Sequence, residues 1–276
     1  FASAVWGLPL VILLIGGGFY LLILSNFLPF RYLGHSLDLL RGKYNNPNDP
    51  GEINHFQSLS TALSSTVGMG NIAGVAVAIA LGGPGAIFWL WVSAVVGMAT
   101  KFFTNTLAVM YRGRDTQGNI QGGVMYFIEE GLGKKWKFMA IFFSVAGLIG
   151  ALPVFNVNQL TQAINYILLE PNDIPTGFGT NLIIGIILVI LTSVVILGGL
   201  QRISKTVSKL VPAMVALYFI SVIIILIVNF DVVPYYFSSI FTDAFAAENY
   251  KGEPMLGGVL GGLIILGVRR GAFSNE

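Results

Sequence analysis

Seven apolar stretches, each near the length needed to cross a bilayer, recur along the 276 residues, at roughly 4–25, 56–81, 84–111, 138–169, 181–199, 207–229 and 255–276. An α-helix rises 1.5 Å per residue, so about 20 residues cover the ~30 Å hydrocarbon layer. Backbone polar groups in lipid must be satisfied within the segment, and runs of this length do so only as helices. The fold class expected is therefore an all-α polytopic membrane protein. With 55% hydrophobic and 10% charged residues the chain has too little polar surface for water, where soluble domains carry roughly 25% charged residues. Cysteine is absent, which excludes disulfides and thiolate metal sites. A formal net charge of +2 points away from a nucleic-acid partner and leaves the lipid bilayer as the one implied by composition. The first stretch, Ala4 to Leu24, has no basic region before it and no small-residue cleavage pattern after it, so it reads as a span rather than a signal peptide.

Charge placement orients the spans. With residue 1 outside, the cytoplasmic loops hold Arg31, Arg41, Lys43, Arg112, Arg114, Lys134, Lys135, Lys137, Arg202 and Lys205, with Lys209 at the edge. The external loops hold Lys251 beside Glu170, Asp173, Asp231, Asp243, Glu248 and Glu253. This is the positive-inside asymmetry, and it predicts a multi-pass protein of the cell membrane with an extracellular N-terminus. Asn45–Gly51, Gly82-Gly83-Pro84-Gly85 and Gly131–Lys135 read as connections.

The stretch at 56–81 departs from the others. Gln57, Ser58, Ser60, Thr61, Ser64, Ser65 and Thr66 precede Gly68-Met69-Gly70-Asn71, and only after Ile72 does it become a conventional apolar helix. Thr61, Ser64, Gly68 and Asn71 recur at three- and four-residue steps and share one face, which must look into protein or water. Each glycine weakens a helix interior by about 1 kcal/mol relative to alanine. An interruption here would free carbonyls before it and amides after it. The amides would head a half-helix whose dipole favours a carboxylate, and the carbonyls with the Ser, Thr and Asn oxygens are hard ligands for a small cation such as sodium. The alternative is that the small residues only let two helices approach closely. A nucleotide fingerprint in Gly68-x-Gly70-xxx-Gly74 fails for want of a preceding strand.

Phe56–Leu63 running through Gly68-Met69-Gly70-Asn71-Ile72-Ala73-Gly74-Val75-Ala76 to Gly82–Trp89 closely resembles the alanine or glycine:cation symporter family, as do Gly118–Tyr126 and Arg270–Glu276. The resemblance covers about 56–276. It implies a fold similar to that of the bacterial leucine transporter: inverted five-helix repeats, the first helix of each broken. It then implies an extra N-terminal helix and connector over 1–55, a first repeat over 56–229, an extracellular loop over 230–254, and the truncated start of a second repeat over 255–276. By position in the motif it implies a substrate carboxylate on the amides near Met69 and Gly70. The Thr66 carbonyl and Asn71 side chain would hold one sodium ion, and the Ser64 and Val67 carbonyls a possible second. Phe273 and Ser274 would complete the pocket from the second broken helix.

Other polar residues lie at membrane depth. The stretch at 138–169 carries Asn156, Asn158, Gln159, Thr161, Gln162 and Asn165. Gln159 is the expected pocket residue among them; interhelical hydrogen bonds, worth about 0.6 kcal/mol each, are the alternative for all six. Lys101 lies mid-span and should face protein or water; the acidic partner that the resemblance implies near Asn105 is missing from the sequence. Arg269 and Arg270 should lie near the second break. The segment 115–133 reads as a cytoplasmic loop helix, and Glu129 and Glu130, being adjacent, point to different faces of it. His35 and His55 fall in the connector. No nucleophile–base grouping or metal spacing occurs, so an enzyme is not expected.

The expected function is symport of small neutral amino acids, alanine or glycine, with sodium as the co-transported ion, by alternating access. The competing class is an uncoupled channel or a membrane binding protein.

Overall fold

A computed structural model describes residues 8–45, 53–114, 116–118, 120–152 and 154–245. The expected second broken helix, with Phe273, Ser274, Arg269 and Arg270, lies outside them. Helices dominate the described residues. In chain order they are α1 (Leu8–Val11), a π-helical turn over Ile12–Gly16, α2 (Gly17–Leu24), α3 (Leu28–Arg31) and α4 (Leu33–Leu40). Next come α5 (His55–Thr66), α6 (Met69–Gly82) and α7 (Gly85–Met110). The antiparallel strands β1 (Gly113–Arg114) and β2 (Ile120–Gln121) precede α8 (Val124–Leu132), α9 (Lys137–Gly150) and α10 (Val154–Ile164). A π-helical segment over Asn165–Leu169 leads to α11 (Phe178–Ile196), α12 (Gly199–Val228) and α13 (Val233–Asp243).

Three of these helices, α7, α11 and α12, are long and apolar enough to cross a membrane, and the pair α5 and α6 makes a fourth if taken as one span. Only 6% of the apolar window of α11 and of α12 is buried within the chain. That leaves rows of isoleucine, leucine and valine facing outward, as a helix solvated by lipid requires.

The described residues form two compact units. One is built from 8–45, 55–103 and 207–245, the other mainly from 104–206. In the first, Gly18 of α2 lies so close to Val96 and Thr100 of α7 that any side chain there would collide with them. Leu22, Val96 and Ala99 are buried. Gly74, Ala78 and Gly82 are also buried and lie four residues apart on α6, the small-residue spacing that lets membrane helices pack closely. Gly83 ends α6 at φ 76°, donating to the Ile79 carbonyl at 2.7 Å, a conformation that glycine adopts without strain.

In the second unit the two-residue strands pair Gly113 with Gln121 and Arg114 with Ile120. Gly113 backs onto the Tyr126 ring, and a Cβ on Gly122 would sit 2.9 Å from the Ala108 carbonyl oxygen, so the hairpin is folded against the end of α7 and the start of α8. The helix expected within 115–133 is therefore present as α8, preceded by a hairpin that hydropathy does not announce.

Three further features differ from a reading of hydropathy alone. The apolar stretch 138–169 is divided after Gly150, where Pro153 follows and the residue before a proline is turned away from helix. Arg202 and Lys205 lie on the first turns of α12 rather than in a loop, because the helix begins at Gly199, whose φ of 71° turns the chain only three residues after α11 ends. At 30 residues α12 is about 45 Å long, enough to carry these charges beyond the hydrocarbon. Finally, helix α13 occupies part of the 230–254 segment.

Candidate functional site

The stretch at 56–81 is two helices. α5 stops at Thr66, α6 starts at Met69, and the pair is bent by 44°. Between them Gly68 is extended, at φ −150° and ψ −163°. The helical bond Val67 N–H to Leu63 O, at 2.8 Å, is the last of its kind in α5. The carbonyls of Ser64, Ser65 and Thr66 thus fall in the final turn, where a helix offers no partner of its own.

The hydroxyls of α5 are turned back on their own helix. Thr61 donates to the Gln57 carbonyl at 2.8 Å, Ser64 to Thr61 at 2.7 Å, Ser65 to Ala62 at 2.8 Å and Thr66 to Ala62 at 3.0 Å. A hydroxyl that donates inward keeps its lone pairs for another partner, and such back-bonding also favours bending. The C-terminal end of α5 is thus rich in oxygen acceptors and carries the negative end of its helix dipole, which suits a cation.

Across the break, Asn71 reaches back. Its Oδ1 accepts the Gly68 N–H at 3.3 Å, while its own N–H donates to the Gly68 carbonyl at 3.1 Å. These two bonds tie the first turn of α6 to the residue at the bend. The side-chain bond is the return half of a capping box, a role that glycine at the N-cap leaves entirely to the third helical residue. Oδ1 has two lone pairs, so the bond to Gly68 leaves one for a cation. The backbone amides of Met69 and Gly70 open α6, where N–H groups lack intrahelical acceptors and the dipole favours an anion. Ser64, Thr66, Val67, Met69, Gly70 and Asn71 therefore converge on one break. The sequence did not reveal the Asn71–Gly68 bond, although the N-cap to third-residue spacing is its signature.

Gln159 lies half-buried on α10, in the other unit. Of its polar neighbours, Thr161 donates to the Val157 carbonyl at 2.9 Å, and Asn165 Nδ2 donates to Asn181 Oδ1 at 3.0 Å, joining the end of this segment to α11. Asn165 thus makes the interhelical contact weighed as the alternative to a pocket role. Lys101 is exposed on α7 and takes part in a polar interaction. Glu129 pairs with Lys137 at 3.2 Å, and among the described residues no cluster of acidic or histidine side chains suits a metal. His35 packs between Tyr32 and Tyr44, with ring centroids 6.5 and 5.0 Å away. An open groove of about 520 Å³ between α8 and α9, lined by Gln121, Met125, Tyr126, Glu129, Ile141 and Ser144 among others, contains none of the residues expected at the site.

The profile of the sodium:alanine symporter family matches residues 1–276. The chain is 39% identical to the sodium/alanine symporter AgcS of Methanococcus maripaludis, over 99% of this chain and 58% of that protein. It is 37% identical to the putative sodium/proton-dependent alanine carrier protein YrbD of Bacillus subtilis, over 99% of this chain and 53% of that protein. It is 35% identical to the probable sodium/glutamine symporter GlnT of the same bacterium, over 98% of this chain and 54% of that protein. The chain thus spans between 53% and 58% of the length of these relatives. A match over its whole length, carried by apolar helices of spanning length, shows that the chain belongs to the sodium:alanine symporter family of membrane transport proteins.

Proposed function

We propose that this chain is part of a sodium-coupled importer of small neutral amino acids, alanine or glycine, working by alternating access. The observation that carries the proposal is the bent pair α5–α6, with the Asn71 side chain closing back on Gly68. The Thr66 carbonyl and Asn71 Oδ1 would hold sodium, and the Met69 and Gly70 amides the substrate carboxylate. The Ser64 and Val67 carbonyls would supply a second ion site. In this reading Gln159, Phe273 and Ser274 line the pocket, and the Phe273 ring limits the substrate side chain. A substrate that brings its own carboxylate beside the cation needs no acidic residue on α5 or α6, and these helices have none.

The architecture in this proposal is that of inverted five-helix repeats, with 1–55 as an extra helix and connector and 56–229 as the first repeat. The N-terminus is extracellular, as the distribution of Lys and Arg supports. The relatives' names include alanine and glutamine, which supports neutral amino acids as the class; the closely spaced glycines at the break favour its smaller members.

Uptake of labelled alanine by the full-length protein in proteoliposomes is the test. The expected result is saturable uptake driven by an inward sodium gradient, with trans-stimulation in counterflow. An uncoupled channel shows neither saturation nor trans-stimulation. Unchanged sodium-dependent uptake by Asn71→Ala would remove Asn71 from the ion site.

A further inference from the structure

We propose that Lys134, Lys135 and Trp136, flanked by Arg112 and Arg114, form a binding site for the headgroup of an anionic phospholipid. The five residues belong to one unit, where α7 ends and α9 begins. A Cβ on Gly131 would lie 3.5 Å from the Tyr111 ring, so the last turn of α8 sits beside the end of α7. Gly133, at φ 92°, then turns the chain into a short 3-10 helix, Lys134–Trp136, which leads directly into α9. Arg112 and Arg114 flank Gly113, the hairpin glycine that rests on Tyr126 of α8. The backbone thereby brings residues 112–114 and 134–136 to neighbouring helix ends, and all four cationic side chains are exposed, with Arg114 Nη1 donating to the Gly118 carbonyl at 2.8 Å.

Three observations select lipid as the occupant. Trp136 and Phe138 stack with ring centroids 6.1 Å apart and planes at 24°, yet remain 42% and 66% exposed. Exposed aromatic rings beside cations are the composition of a membrane–water boundary, where an indole places its ring in the acyl region and its N–H among headgroups. One face of α9 continues this apolar strip through Phe142 and Ile149, 73% and 66% exposed, as a helix facing lipid would. Lys137 is held by Glu129 at 3.2 Å, at the start of α9, while Lys134 and Lys135 are exposed. Lysines at such a boundary meet phosphate oxygens, and a net negative headgroup adds attraction that a zwitterionic one lacks. The site requires only that the chain spans a bilayer, so its failure would leave the proposed ion and substrate assignments untouched.

The test uses the full-length protein in lipid nanodiscs containing brominated phosphatidylglycerol or brominated phosphatidylcholine. Trp136 emission is isolated as the difference from Trp136→Phe. Phosphatidylglycerol should quench it the more strongly, with a preference that falls about fivefold per lysine removed in Lys134→Gln and Lys134→Gln/Lys135→Gln. Lys134→Arg/Lys135→Arg should keep the preference, separating lost charge from lost fold. Added inorganic phosphate should not displace the lipid. Equal quenching by the two lipids, a preference that survives the double glutamine variant, or displacement by free phosphate would each overturn the proposal.

Discussion

The indole Nε1 of Trp89 donates to the backbone carbonyl of Ala244 at 2.9 Å, joining residues 155 positions apart. Around this bond Phe88 packs edge-on to Phe241 and Phe245, with centroids 6.0 and 5.3 Å away. Gly85, on the first turn of α7, lies against the same backbone: a Cβ there would sit 2.5 Å from the Asp243 carbonyl and the Ala244 nitrogen. Since α6 runs into α7 through the Gly83–Pro84 turn, this contact anchors the far end of the broken helix.

Trp89→Phe is expected to lower stability by about 1 kcal/mol, because it preserves the aromatic packing but leaves the buried Ala244 carbonyl without its donor. Gly85→Ala should be the more damaging, since backbone atoms rather than a flexible side chain stand in the way. Thermal midpoints of purified protein, followed by size-exclusion chromatography, check the order of the two.

At the break the expectation is the reverse. Among the described residues, its chain neighbours aside, nothing lies within 4 Å of the position a Cβ would take on Gly68, and its backbone is extended, so Gly68→Ala should change stability by less than about 0.5 kcal/mol. A loss of amino-acid uptake at unchanged thermal midpoint would then reflect the site and not the fold.

In the proposed reading Asn71 combines two tasks that substitution can separate. Asn71→Ala removes the acceptor for the Gly68 N–H and should cost about 1 kcal/mol of stability together with sodium-dependent uptake. Asn71→Asp retains an acceptor and places a negative charge at a helix N-terminus, so stability should be kept while the sodium dependence of uptake changes. Parallel thermal and sodium-titration measurements on the two variants test this.

Glu129→Gln breaks the pair with Lys137, whose side chain is 60% exposed. Partly exposed pairs are worth roughly 0–1 kcal/mol, so the thermal midpoint should move little and uptake should persist. Abolished uptake at normal stability would instead assign Glu129 a part in transport.

The break at the candidate site was legible along the chain. Ser64, Thr66, Gly68 and Asn71 are polar or small where a span should be apolar, and a helix with two glycines around one residue yields there first. Other features were not. The β1–β2 hairpin is set by Gly113 and Gly122 fitting against Tyr126 and Ala108, contacts with no periodicity to read. The division after Gly150 was signalled by Pro153, but apolar residues on both sides of it let 138 to 169 read as one stretch. Arg202 and Lys205 resembled a loop because charge suggests water, whereas a helix longer than the bilayer carries charge on its protruding turns.

Hydropathy, charge and the glycines of the 56–81 stretch by themselves determined that the chain is helical and belongs in a bilayer, and pointed to an interruption near Gly68, because each depends on residues close together in sequence. Local geometry at the break decided that Asn71 closes its side chain on Gly68, and tertiary structure alone decided that Trp89 meets Ala244. A hydrogen bond depends on the direction of a donor and an acceptor in space, and a list of residues holds no such direction until the chain has folded.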